Sequence, residues 1–255
     1  MISGLARALS LFTIVPVRVE HKVSAGQAVG AVLWLPVIGA ALGGVSGLPA
    51  VAVRHWEPHA SAVGAVISVA LLVVLTRALH VDGLADTADG LGSRAPAERA
   101  LQIMRQSDIG PFGVVTIVLI LGADIASLAV LPGNDWAPCA ALALAGATGR
   151  LAVVHAALWP LRPARPDGFG ALVAGSVSAP AATAVSILAL GAGFGLAEWS
   201  GANPVWWPAT QIVALATAWL LRVHTTRRFG GTTGDVFGAL IEIGTAITLV
   251  GLALR

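Results

Sequence analysis

Seven long apolar stretches dominate this chain and decide what it can fold into. With soft ends they run over about 27–53, 60–79, 113–131, 137–158, 179–196, 204–223 and 236–254. About 20 such residues suffice for a helix to cross a hydrocarbon core of roughly 30 Å. Only helices and closed barrels satisfy their backbone polar groups in lipid. The alternating segments of barrel strands, about ten residues each, do not occur here. The expected fold is therefore all-α: a polytopic membrane bundle of about seven transmembrane helices, with 1–255 forming a single domain. Charged residues make up 11% and hydrophobic residues 56% of the 255, with a mean hydropathy of +0.84. A soluble domain carries about 25% charged residues, so that class is excluded, and so is a disordered chain. The single cysteine, Cys139, rules out an internal disulfide and a cysteine-built zinc site. A net charge of +2, spread along the chain, is no footprint for nucleic acid.

Basic residues give an orientation. Arg7, Arg18 and Lys22 precede the first stretch, and Arg94, Arg99 and Arg105 follow the second. Arg162 and Arg165 follow the fourth, and Arg227 and Arg228 follow the sixth. The opposite side holds only Arg54 and the terminal Arg255. Cytoplasmic loops concentrate Lys and Arg, so the N-terminus is expected inside and the C-terminus outside. Residues 1–24, with a short apolar run at Leu9–Val17, are expected to lie at the interface. Trp56, Trp136, Trp159, Trp199, Trp206 and Trp207 sit near stretch ends, as an aromatic belt does.

The acids, unlike the bases, are clustered. In His80-Val-Asp-Gly-Leu-Ala-Asp-Thr-Ala-Asp-Gly-Leu-Gly92, carboxylates stand at Asp82, Asp86 and Asp89. On a helix these three fall within roughly 60° of one another. Like charges on one face repel unless a cation lies between them, and oxygen-only ligands favour a hard ion, Mg²⁺ or Mn²⁺. Asp82, Asp86 and Asp89 are thus the candidate metal ligands. Gly83 and Gly90 line an adjacent strip that would let a bulky ligand approach the backbone. The competing reading is a solvated loop of Asp and Gly turn residues. His80 is either a general base or an interfacial residue.

A second cluster, Phe229-Gly-Gly-Thr-Thr-Gly-Asp-Val-Phe-Gly-Ala-Leu-Ile-Glu242, precedes the last stretch. Asp235 and Glu242 share a helix face. Gly231 and Gly234 belong to an amide-exposing loop at a helix start, suited to phosphate. A carboxylate inside an apolar run, as at Glu242, is expensive and usually functional. Arg105 and Arg150 are the leading candidates for holding phosphate oxygens, with Arg165 behind them and Asp124 as a partner for Arg150. Two acidic clusters with arginines on one membrane side point to metal-assisted phosphate-ester chemistry. An ion-coupled transporter is a rival, but it predicts acids mid-membrane in several spans, and only Asp124 and Glu242 qualify.

Three segments carry a family resemblance: Leu79–Leu91 (LHVDGLADTADGL), Ile103–Gly113 (IMRQSDIGPFG) and Gly230–Glu242 (GGTTGDVFGALIE). With Phe12–Val17 they span almost the whole chain, and the first motif is highly specific. The sequence resembles cobalamin synthase, the adenosylcobinamide-GDP ribazoletransferase family, though it departs from the usual pattern at Gln106, Asp108 and Thr245. The resemblance implies an integral, Mg²⁺-dependent transferase of a bacterial cytoplasmic (inner) membrane. It would join the 5′-hydroxyl of α-ribazole, or of its 5′-phosphate, to adenosylcobinamide-GDP. GMP would leave, and adenosylcobalamin or its phosphate would form, by direct in-line displacement. CDP-alcohol phosphotransferases are a weaker match, because Asp86 stands where their element carries Arg, and the Gly-Leu-Ala-Asp context argues against membrane prenyltransferases. Oligomeric state and docking of cytoplasmic pathway enzymes are left open by the sequence.

Overall fold

The computed structural model describes residues 2–18, 25–158 and 160–254; Lys22, Trp159 and Arg255 lie outside them. The described chain is helical, with two isolated bridges and no strand. In order the helices are α1 (Ile2–Phe12), α2 (Ala25–Ser46), α3 (Leu48–Trp56), α4 (Ser61–Leu75), α5 (Leu79–Gly92) and α6 (Ala97–Ile103). They continue with α7 (Pro111–Ala129), α8 (Ala137–Ala156), α9 (Gly168–Val173), α10 (Ala179–Ser200), α11 (Trp206–Phe229) and α12 (Gly234–Ala253).

Six segments among the described residues are long and apolar enough to span a membrane: α2 with α3, α4 with its preceding turn, α7, α8, α10 and α12. The 24-residue α11 matches them in length, although its last turns carry Arg222, His224, Arg227 and Arg228. With α11 the count reaches the expected seven. The first expected span is two helices that meet at Gly47. The second ends earlier than expected, at Leu75, because Arg77 and Ala78 both adopt left-handed backbone, φ +55°. That conformation is costly outside glycine, and it separates α4 from the acid-bearing α5. The N-terminal helix is α1, Ile2–Phe12, rather than the run at 9–17; it packs along α2.

Helix α8 is the hub. It is rich in Ala and Gly and almost entirely buried, against α2, α12, α10 and α11. Small residues let membrane helices approach closely. A Cβ on Gly39 would lie 2.2 Å from the Gly146 carbonyl oxygen, so α2 and α8 touch backbone to backbone. The outer surface is apolar: Val66, Val118, Leu119, Leu188 and Leu220 are exposed on α4, α7, α10 and α11.

The end of α1, the 76–110 connection, the 157–178 connection and the 230–233 turn all meet at one end of the bundle. Phe12, Asp82, Arg105, Arg165, Phe169 and Thr232, drawn from these parts, face one cavity there together with Asp235 at the start of α12.

Candidate active site

The approach of α5 to α12 builds the site. A Cβ on Gly83 would stand 2.8 Å from the Asp235 carbonyl oxygen, and one on Gly238 would stand 3.0 Å from that of His80. These glycines let the two acidic segments, more than 140 positions apart, cross at backbone contact. This corrects the expected open strip along α5. Gly83 is filled by α12, and Gly90 lies under the Met104 side chain and the Phe229 ring. Both are packing positions.

Two cavities flank this crossing. One, about 430 Å³, is lined by Phe12, His80, Phe169, Thr232, Thr233 and Phe237 among others. The other, about 700 Å³ and more open, is lined by Asp86, Gln106, Ser107, Asp108 and Ile109 among others. Asp82, Arg105, Arg165 and Asp235 line both, so two acids and two arginines form the wall between them. Arg165 Nη1 is 3.2 Å from Asp235 Oδ2, and its Nη2 donates to the Leu101 carbonyl at 2.8 Å. The exposed Arg105 reaches Asp167 Oδ1 at 2.8 Å. Thr233 caps α12, accepting from the Val236 amide at 3.2 Å, and its hydroxyl donates to Asp235 at 3.3 Å.

Asp86 faces the larger cavity. Its carboxyl is pushed up to about 7, first by burial, then by Asp235 and Asp82, against the opposing pull of Arg165. Asp89 does something else. It is buried, and its two oxygens accept from the amides of Gly110 (2.7 Å) and Gly113 (2.9 Å). Those are orphan donors at the start of α7, where a negative charge also suits the helix dipole. A Cβ at either glycine would collide with the carboxylate. The 103–113 motif is therefore glycine-rich so that Asp89 can dock. This corrects the expected trio: Asp82 and Asp86 face the cavity and Asp89 anchors α7. Among the described residues no three His, Cys, Asp or Glu groups are gathered tightly enough to enclose a metal alone.

Arg150 and Glu242 also depart from expectation. Arg150 is buried inside the bundle, its Nη1 donating to the Gly146 carbonyl at 3.1 Å. With Asp124, Glu242, His80 and Thr245 it lines a narrow internal cavity with room for about one water. So Arg150 lies apart from the two outer cavities, and Glu242 lines the internal cavity with it rather than sharing a cavity with Asp235. Asp124 lines the same internal cavity. His80 belongs to both worlds: it lines the smaller outer cavity and the internal one. Burial, helped by nearby Arg150, holds its imidazole well below its usual value, and so neutral. Its Nδ1 lies 3.9 Å from Glu242 Oε1, beyond hydrogen-bond reach.

Of the glycine loop, Gly234 lines the smaller cavity. Gly231 is pressed against the 162–164 backbone, where Thr232 N donates to the Arg162 carbonyl and Ala164 N to the Thr232 carbonyl. This short pairing brings Arg165 to the wall. The sequence ranked Arg165 too low and did not single out Asp167, Phe12, Phe169 or Phe237. Phenylalanines in an apolar chain carry no signal of their own. The Arg-Pro-Asp-Gly setting of Arg165 and Asp167 was legible only as a loop.

Residues 4–253 match the family model described as cobalamin-5-phosphate synthase. The adenosylcobinamide-GDP ribazoletransferase of Frankia casuarinae is 36% identical over 265 residues, covering 97% of this chain and 93% of that protein. The protein of the same name from Klebsiella pneumoniae subsp. pneumoniae is 31% identical, covering 99% and 100%. That from Bradyrhizobium diazoefficiens is 34% identical, covering 98% and 93%. No solved structure matches the chain. With near-complete coverage in each case, the chain belongs to the cobalamin-5-phosphate synthase family and is a transferase of cobalamin synthesis.

Proposed function

We propose that the chain transfers the adenosylcobinamide phosphate group from adenosylcobinamide-GDP to the 5′-hydroxyl of α-ribazole or its 5′-phosphate, releasing GMP. The observation that carries this reading is the shared wall. Two cavities meet at Asp82, Asp235, Arg105 and Arg165, which is what two substrates exchanging a phosphoryl group require. The acceptor 5′-oxygen attacks the cobinamide-bound phosphorus in line with the departing GMP oxygen. Arg105 and Arg165 exchange their present carboxylate partners for non-bridging phosphate oxygens and orient the diphosphate. Such bidentate guanidinium contacts suit phosphate geometry.

Mg²⁺ fits this donor set. The carboxylates are oxygen-only, and the burial of Asp86 beside Asp82 and Asp235 leaves negative charge in excess of Arg165. Mg²⁺ is commonly held by one or two carboxylates together with waters and substrate phosphates, so a three-carboxylate cage is not needed. Asp82 and Asp86 would hold it. When bound, the ion supplies neutralisation of the diphosphate and of the charge that GMP carries away. The test is the purified protein in nanodiscs with both substrates and Mg²⁺. Stoichiometric release of GMP and cobalamin (or its phosphate) is expected, and no GMP release would overturn the reading.

The site end of the bundle carries Arg18, Arg94, Arg99, Arg105, Arg162, Arg165, Arg227 and Arg228, whereas Arg54 lies at the other end. By the positive-inside rule the site opens to the cytoplasm of a bacterial cell with this protein in its cytoplasmic membrane. Alkaline phosphatase fused after Glu57 is expected to be active and after Gln106 inactive. The reverse pattern would invert the topology.

A further inference from the structure

Resting on that reading, we infer that the two cavities are not equivalent: the smaller, phenylalanine-lined cavity is the acceptor site, and Phe169 and Phe237 select its flat aromatic base. The walls differ in kind. Around the smaller cavity, Phe12 and Phe169 pack edge to face with centroids 5.0 Å apart. Phe169 and Phe237 do the same at 6.2 Å. The His80 ring lies nearly parallel to Phe12, with centroids 6.2 Å apart and planes 22° apart. Such a frame offers ring faces and edges to a planar heterocycle. Two polar residues, Thr232 and His80, also contribute to this cavity's lining.

Size and access argue the same way. Ligand cavities are typically about 300–1,000 Å³, and neither of these, at about 430 and 700 Å³, admits a corrin macrocycle with its side chains. The donor's corrinoid must therefore stay outside while its nucleotide arm enters. The larger, more open cavity suits a tethered arm. It is also the one that Asp86 faces and where polar Gln106, Ser107 and Asp108 can meet the donor-rich edge of guanine. The acceptor is free and small enough to enter whole. Its benzimidazole ring presents apolar edges, which match phenyl rings, and among the described residues no aromatic ring lines the larger cavity. In this arrangement the acceptor's ribose points to Asp82 and Asp235 at the shared wall, opposite the diphosphate.

The experiment is steady-state kinetics in nanodiscs with each substrate varied in turn, for wild type, Phe169→Leu, Phe237→Leu and Gln106→Ala. Leucine keeps apolar volume while removing the ring, and thermal melting checks that each variant is folded. Base–aromatic stacking is worth about 1–3 kcal/mol, so each Leu variant is expected to raise the KM for α-ribazole by about tenfold, with the KM for adenosylcobinamide-GDP within about twofold. Gln106→Ala is expected to do the opposite. Calorimetric titration of α-ribazole alone should lose affinity in the Leu variants by the same factor. A rise in the donor KM, or an unchanged acceptor KM, in folded Leu variants would overturn the assignment. Absence of GMP release by wild type would instead overturn the transferase reading, so the two failures are distinguishable.

Discussion

Replacing Arg150 by leucine is expected to cost the fold about 3–5 kcal/mol, the scale of leaving buried acids without their counter-charge. Arg150 is 1% exposed and shares its cavity with two acids, Asp124 and Glu242. Removing the guanidinium leaves two carboxyl groups in the bundle interior with no cation beside them. It also frees the Gly146 carbonyl that Arg150 now engages. The measurement is thermal or proteolytic unfolding in detergent, compared with wild type. The double variant Arg150→Leu/Glu242→Leu is expected to recover most of the loss, because apolar residues of similar volume often replace a buried pair at little cost. A single variant within about 1 kcal/mol of wild type would mean that Arg150 is not the counter-charge of these acids, since an uncompensated buried charge costs several times that.

Acidification should weaken Mg²⁺ binding through Asp86. Its carboxyl, pushed up to about 7, is protonated below that pH, and a cation must then displace the proton. The half-saturating Mg²⁺ concentration is expected to rise as pH falls below 7, by up to about tenfold per unit, and to level off above it. Asp86→Asn should flatten that profile and lower turnover by roughly 10²–10³, the scale of losing one charge-stabilising contact to the reacting groups. The linkage has a second consequence. An acid whose folded value lies above its unfolded one binds protons more tightly when folded, so its contribution to stability falls as pH rises toward 7. The metal-free protein should therefore melt higher at pH 5 than at pH 8 as far as Asp86 decides it, and Mg²⁺ should narrow the gap. A Mg²⁺ requirement that is flat from pH 5 to 8 would remove Asp86 from the ion.

The bundle was legible because lipid imposes it: long apolar runs have no other stable outcome. What sequence could not supply was the bend at Arg77 and Ala78, since two non-glycine residues in left-handed backbone carry no compositional mark. Helical periodicity put Asp82, Asp86 and Asp89 on one face, and the structure keeps that periodicity. One helix face, however, is wide enough to meet two neighbours. Asp82 and Asp86 meet the cavity while Asp89 meets the first turn of α7. The glycines were misread for a related reason. At Gly83 and Gly90 the missing side chain admits other parts of the protein, and a single sequence does not say whether protein or ligand fills such a gap. Glu242 and Arg150 were recognisable as costly intramembrane charges, but seven-residue spacing from Asp235 could not reveal that Glu242 looks inward.

The cavity walls have one more implication, which concerns ownership. Phe12, Asp82 and Arg105 precede the turn between α7 and α8; Arg165, Phe169 and Asp235 follow it. Neither half of the polypeptide lines the candidate site alone. Under the proposed function, catalysis needs both halves, so during synthesis it would arrive late, only once α12 has packed against α5.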